Sequence, residues 1–254
     1  MSLIKTSEEI EKLKTGGQIL ARILSVAAKL VKPGISTYFL EEVVREEIRK
    51  AGVEAAFRGY GGGRGRKPYP AALCTSVNDE VVHCVPNRKR VLKEGDIIGL
   101  DLGIKYEDLF TDAATTVSVG KISRAATRLI NTTREALVAG IKQIKAGNYI
   151  GDISAAIEAV GRREQLSVIR DLVGHGVGHA VHEEPSVPNT GKPGTLEQLK
   201  VGMVLAIEPM FTLGDYKINF LDDGWSVVTT DGSLAAHFEH TVAVRENGSI
   251  VLTK

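Results

Sequence analysis

The chain has 254 residues, 43% hydrophobic and 25% charged, as in an ordinary globular protein long enough to bury a substantial core. With 32 basic against 31 acidic residues the formal charge is +1, which gives no global pull toward nucleic acid or a membrane surface. Two cysteines, Cys74 and Cys84, exclude a disulfide framework and suit a reducing compartment. No secretory h-region follows Met1 and no apolar run approaches the ~18 residues of a membrane span, so the cytosol is the expected location.

Thr6-Ser7-Glu8-Glu9 has the form of a capping box, with Thr6 as N-cap. Ile10, Leu13, Leu20, Ile23, Leu24, Ala27, Leu30 and Val31 follow at helical spacing until Lys32-Pro33-Gly34 stops the helix. A second helix is predicted from Ser36 or Thr37 through Leu40, Val43, Val44 and Ile48 to Gly52. Gly59 to Pro70 reads as a Gly- and Arg-rich loop, and Ala72–Val77 and Val81–Val85 as strands joined across Asn78-Asp79-Glu80. Beyond the basic turn Asn87–Lys93, a strand pair is predicted at Asp96–Lys105 and Leu109–Val119. The second half offers helices over about Ala125–Lys145 and Ile150–Gly161. Strands follow at Ser167–Val173, Met203–Phe211, Ser226–Thr230 and Glu239–Arg245, with Asp231-Gly232 as a turn signal.

The second half repeats the plan of the first. Val31-Lys32-Pro33-Gly34 closes one long helix and Ile144-Lys145-Ala146-Gly147 its counterpart. Lys93-Glu94-Gly95 and Lys200-Val201-Gly202 each feed an apolar strand that delivers a carboxylate, Asp101 or Glu208, eight residues after the lysine. Such turns before strands are common, but the acidic residue in both apolar strands favours an internal duplication. Two halves meeting face to face would bring the two carboxylates near a shared axis.

Gly174–Pro185 packs His175, His179, His182, Glu183 and Glu184 among glycines that allow close approach of the backbone to a bound group. Neutral imidazole and carboxylate together suit a divalent ion. The chain supplies further donors: Asp101 within Ile97–Ile104, Asp112 within Phe110–Ala114, Glu208 within Val204–Met210 and Glu239 within Ala235–Val244. An acidic residue in an apolar strand is costly unless paired or bound to a cation. Any one of them alone reads as a turn, cap or ion pair. Four such carboxylates and one histidine suit two ions such as Co, Mn, Fe or Zn, which can polarise a carbonyl and generate a bridging hydroxide.

The set Asp101, Asp112, His175, Glu208 and Glu239 resembles the metal pentad of the type I methionine aminopeptidases. Ser76-Val77-Asn78 leading to His83, Gly174–Pro185, Ala206–Met210, Asp223-Gly224-Trp225 and Phe238-Glu239-His240-Thr241 match that family as well. The resemblance runs from about Ile4 to Thr253. It implies an α/β (α+β) pita-bread fold, two pseudo-symmetric halves of helices packed on a curved, mainly antiparallel sheet. One catalytic domain over 1–254 is expected, with halves at about 1–120 and 121–254.

The implied activity is removal of the initiator methionine from nascent polypeptides when the second residue is small, by attack of a metal-bridging hydroxide on the scissile carbonyl. By the same resemblance, Asp101 and Asp112 ligate the first metal and bridge to the second, His175 and Glu208 complete one ion, and Glu239 bridges. Glu208 also shuttles a proton. His83 and His182 hold the scissile carbonyl and the oxyanion. Tyr69, Cys74 and Trp225 line the methionine pocket, whose apolar and aromatic character suits a thioether. Core packing is the competing reading of Cys74.

Two departures from the family bear on that pocket: the long connection Gly61–Pro68, and Val181 where many relatives have a larger aromatic residue. The Gly61–Lys67 stretch reads as a mobile, solvated loop, with contact to ribosome or peptide as the minority reading. It is no phosphate loop, because Pro68 follows Lys67. His182-Glu183-Glu184 fails as a zinc-protease motif, because Ser186 takes the second histidine's place. Strand alternation turns His240 away from the face of Glu239 and puts His237 on it, in a supporting position. An Xaa-Pro peptidase or prolidase is the runner-up, and a non-catalytic binding module the third reading. The former usually carries an extra N-terminal domain, and the latter typically loses metal ligands. A monomer with no membrane or specific nucleic-acid partner is expected.

Overall fold

The computed structural model describes residues 3–62 and 67–254. The centre of the Gly61–Lys67 loop, Gly63 to Arg66, lies outside the described residues. The first half contains α1 (Ser7–Leu30), α2 (Thr37–Ala51), β1 (Glu54–Ala55), β2 (Leu73–Val77), β3 (Glu80–Val82), β4 (Ile97–Tyr106) and β5 (Leu109–Ser118). The second contains α3 (Arg124–Ile141), α4 (Ile150–Arg163), β6 (Ser167–Val168), β7 (Gly174–Gly176), β8 (Glu183–Val187), β9 (Val204–Ile207) and β10 (Met210–Thr212). It closes with β11 (Ile218–Phe220), β12 (Val227–Thr229), β13 (Ala235–His237), β14 (His240–Arg245) and β15 (Gly248–Val251).

The local signals act as read. Thr6 Oγ1 accepts from Glu9 N at 3.2 Å, and Glu9 Oε2 accepts from Thr6 N at 2.7 Å, closing the capping box of α1. The apolar stripes of α1 and α2 pack on β2 and β4 through Leu20, Ile23, Leu40, Val44, Leu73, Leu100 and Leu102. Those of α3 and α4 pack on β9, β10 and β14 through Leu129, Leu137, Ile153, Ile157, Leu205, Phe211 and Val242. Every strand pair among the described residues is antiparallel. β4 is central in the first sheet, with β5 along one edge and β2 and β1 on the other. The largest sheet runs β15-β14-β9-β7-β8.

The two Lys-x-Gly turns are built alike. Gly95 and Gly202 have φ of 94° and 88°, values that favour glycine. Each turn is closed by a 3.1 Å bond, Asp96 N to Lys93 O and Met203 N to Lys200 O.

Several predicted strands are corrected. Met203–Phe211 is broken at Glu208-Pro209, and Ala235–Val244 at Phe238-Glu239. The register nevertheless continues across the break, since Ile207 faces His240 on one side and Met210 faces His237 on the other. Pro209 has no N–H to give a ladder partner, although Phe238 N still donates to Pro209 O at 3.4 Å. The opposite edge of the Ala235–Val244 segment pairs with β5. Glu239 N donates to Ala114 O at 2.9 Å, and Thr241 Oγ1 donates to Asp112 O at 2.7 Å. Ser167–Val173 shortens to two residues, and the strand after Asn78 ends at Val82, because His83 takes a φ of 59°. Within Gly174–Pro185, Gly174-His175-Gly176 is an interior strand between β9 and β8. A Cβ at Gly174 would meet Ala206 O, and one at Gly176 would meet Glu184 O, so these glycines serve strand packing.

Candidate metal centre and substrate pocket

Two interrupted or diagonal strand pairs supply the carboxylates. In the β4–β5 hairpin Asp101 faces Ala114 and Gly103 faces Asp112, which sets both aspartates on one face of the sheet. In the broken β9–β14 pair, the register places Glu208 opposite Glu239. β5 joins the two pairs, because Ala114 bonds Glu239 and Asp112 bonds Thr241. His175 enters from β7, facing Ala206.

Ligand atoms of Asp112, His175 and Glu239 lie within 4.8 Å of one another. His175 Nε2 is 3.5 Å from Glu208 Oε1. His175 Nδ1 lies 2.8 Å from Gly176 O, so Nδ1 carries the proton and Nε2 presents its lone pair. Burial holds this imidazole neutral, with its pKa down at about 3. Burial also raises all four carboxyls. Asp112 is pushed up to about 7, and Asp101, Glu208 and Glu239 rise well above the usual range, with the neighbouring Asp112 as the next influence on each. Asp101 Oδ1, Asp112 Oδ1 and Glu239 Oε1 are buried without a hydrogen-bond partner. Such a cluster is unfavourable for a protein alone and favourable around divalent cations. The donor set fits such ions.

The same cleft is lined by His83, His182, Tyr69, Cys74 and Trp225, so it gathers every sequence-predicted site residue. The His182 ring meets that of His175 edge-on at 4.3 Å, and its Nδ1 lies 2.6 Å from Tyr60 Oη. Phe57, Tyr69, Ala71, Cys74, Val181 and Trp225 form a separate apolar cluster beside the carboxylates. Tyr69 and Trp225 pack edge to face at 5.3 Å. Tyr69 Oη donates to Leu73 O at 3.1 Å, and Trp225 Nε1 donates to Lys67 O at 3.1 Å. Burial pushes the Cys74 thiol well above its ordinary value, which keeps it protonated and inert.

Residues 11–246 match metallopeptidase family M24. The chain belongs to this family. It is 43% identical to the methionine aminopeptidase of Clostridium acetobutylicum, over 100% of this chain and 99% of that protein. The crystal structure of methionine aminopeptidase from Thermotoga maritima superposes with a TM-score of 0.95 at 46% identity, covering 99% of this chain and 98% of that one. Within M24 the chain therefore stands among the methionine aminopeptidases, and its architecture is the pita-bread fold. An Xaa-Pro dipeptidase from Bacillus anthracis shares the fold, with a TM-score of 0.76 at 23% identity, and this chain covers 62% of it.

Sequence reasoning missed several parts of this M24 cleft. Phe57, Tyr60, Leu172, Val173 and Met210 also line it, and nothing in their spacing distinguishes them from core. His179 is a supporting residue: its Nε2 lies 2.7 Å from Glu9 Oε1, and this contact holds the Glu9 carboxyl down at about 2. His240 Nδ1 bonds Thr253 Oγ1 at 3.0 Å, away from the metal candidates.

The turn carrying His182 is tied to the N-terminal segment. Glu183 accepts from the His179 and Ala180 amides through Oε1 and from Lys5 Nζ through Oε2 at 2.8 Å, in a buried ion pair. Among the described residues, no helix is long and apolar enough to cross a membrane.

Proposed function

We propose that this M24 peptidase hydrolyses the first peptide bond of polypeptides that begin with methionine followed by a small residue. The observation that carries this reading is that the apolar side chains of Tyr69, Cys74 and Trp225 line one cleft with partnerless carboxylate oxygens. Asp101, Asp112, His175, Glu208 and Glu239 would hold two divalent ions, of the class Co, Mn, Fe or Zn. Such ions supply Lewis acidity and lower the pKa of water.

The chain's own residues do the rest. The apolar cluster seats the methionine side chain and fixes the scissile bond over the carboxylates. Glu208 takes the proton of the attacking water and passes it to the leaving amine. His83 and His182 hold the carbonyl oxygen as negative charge develops on it, with Tyr60 orienting the His182 ring. The enzyme acts as a cytosolic monomer on the N-termini of nascent chains. It is one catalytic domain with pseudo-symmetric halves at about 1–120 and 121–254, a reading supported by the matched Gly95 and Gly202 turns.

A peptide panel tests this. Protein loaded with Co, Mn or Fe(II) is given Met-Ala-Ser, Met-Lys-Ser, Leu-Ala-Ser and Ala-Pro-Ala, and free amino acid is measured. Release of methionine from Met-Ala-Ser alone is expected. Cleavage only before proline would replace the proposal with Xaa-Pro specificity, and no cleavage despite bound metal would make the protein a binding module.

A further inference from the structure

We propose that His237 is a positioning residue for the metal centre, donating from Nε2 to Glu208 and fixing the carboxylate between two imidazoles of opposite polarity. The inference rests on the reading of the five donors as a metal site. His237 ends β13, is 4% exposed, and is held on both sides of its backbone. His237 N donates to Thr116 Oγ1 at 3.0 Å, and Thr116 Oγ1 donates to His237 O at 2.7 Å.

The ring points into the carboxylates. His237 Nε2 is 3.5 Å from Glu208 Oε2 and 4.0 Å from Glu239 Oε2, and it is buried with no partner at hydrogen-bond distance. A contraction of about half an ångström toward Glu208 completes a normal N–H···O bond. Toward ionised Glu208 and Glu239 an N–H on Nε2 is attracted where a lone pair is repelled, and the clustered ligand atoms are those of Asp112, His175 and Glu239 without His237. The ring is therefore assigned a proton on Nε2 and a place outside the ligand set.

His175 has the reverse arrangement, because its Nδ1–H is committed to Gly176 O and its Nε2 lone pair faces the site. Each oxygen of Glu208 thus lies 3.5 Å from one ring: Oε1 beside a lone pair that can bind a cation, and Oε2 beside an N–H. The need for such a device follows from the strand break. Glu208 sits where Pro209 interrupts the ladder, and its own carbonyl is held by Asn189 Nδ2 at 3.1 Å. A carboxylate at a break needs an outside donor to hold one rotamer, and outer donors of this kind tune metal affinity.

The experiment titrates Co(II) into metal-free full-length protein by calorimetry and records the visible spectrum of the loaded form. His237→Leu is expected to weaken binding about 10- to 100-fold and shift the Co(II) bands. His237→Gln, whose amide N–H reaches the same region, should recover most of the loss. Nitrogen-15 NMR of the unaltered Zn(II)-loaded protein, in which the cation keeps Glu208 ionised and which depends on no variant folding, should find the His237 proton on Nε2. A proton on Nδ1, or an unchanged affinity in a folded His237→Leu, overturns the inference while leaving the metal site standing. Failure of the wild type to bind any divalent ion overturns both.

Discussion

Asp101 shows how a single residue is set by its register. It shares a face with Asp112 because the intervening turn is two residues long, and both keep an oxygen without a partner. Asp101→Asn removes one of four clustered carboxyls. The melting temperature of the metal-free variant should rise, while divalent-ion affinity falls and turnover drops at least about a hundredfold. Calorimetric melts and peptide turnover check both halves, and near-wild-type turnover would remove Asp101 from the metal site. The approach of these side chains was legible in the sequence, since an acidic residue eleven positions from another in a hairpin pattern is a local signal. The facing of Glu208 and Glu239 was not, because it depends on strands some 30 residues apart pairing through a break.

At the scale of the element, the β7–β8 turn depends on the first residues of the chain. Lys5 and Glu183 are 1% and 8% exposed at their side chains, and Glu183 in turn holds the His179 and Ala180 amides next to His182. Lys5→Met leaves a buried carboxylate without its cation, and loss of one partner of a buried pair costs about 3 kcal/mol or more. Urea denaturation should register that loss, and kcat should fall because the turn bearing His182 loosens. Lys5→Arg should retain much of both, and the double variant Lys5→Met/Glu183→Gln should regain part of the stability. A Lys5→Met protein as stable as wild type would show that the segment does not hold the turn. The sequence marks Lys5 only as a residue ahead of a capping box, since the partner is 178 positions away.

For the whole molecule, the buried carboxyls couple stability to pH and metal. Asp112 is lifted from an ordinary 3.8 to about 7, and Asp101, Glu208 and Glu239 stand well above their ordinary values. A group so raised contributes stability in full below its unfolded pKa and loses it as pH climbs through the folded value. His175 and His237, depressed to about 3, act oppositely: their contribution is present above 6.5 and is lost as pH falls toward 3. Above about pH 6.5 the histidines no longer contribute a slope, and the carboxyls alone remain. The metal-free protein should therefore melt at progressively lower temperature from about pH 6.5 to 8. Mn(II) should raise and flatten that curve, because a cation favours the ionised carboxylates. Thermal melts across this interval test it, and a metal-free melting temperature that rose with pH would contradict it.

The sequence by itself determined the parts governed by neighbours along the chain. The capping box and apolar stripe of α1, the β4–β5 hairpin, the glycine turns before β4 and β9, and the four carboxylates in apolar segments all rest on local periodicity or spacing, and the choice of His175 rests on the resemblance to the type I methionine aminopeptidases. Tertiary structure decided the rest. It set β5 against the broken strand at Glu239, turned the Gly174–Gly176 segment into an interior strand, walled the pocket with Phe57 and Met210, and aimed His237 at Glu208. The physical reason is common to all of these: a backbone group or imidazole takes its orientation from the partner that satisfies it. Here those partners lie in segments far apart along the chain.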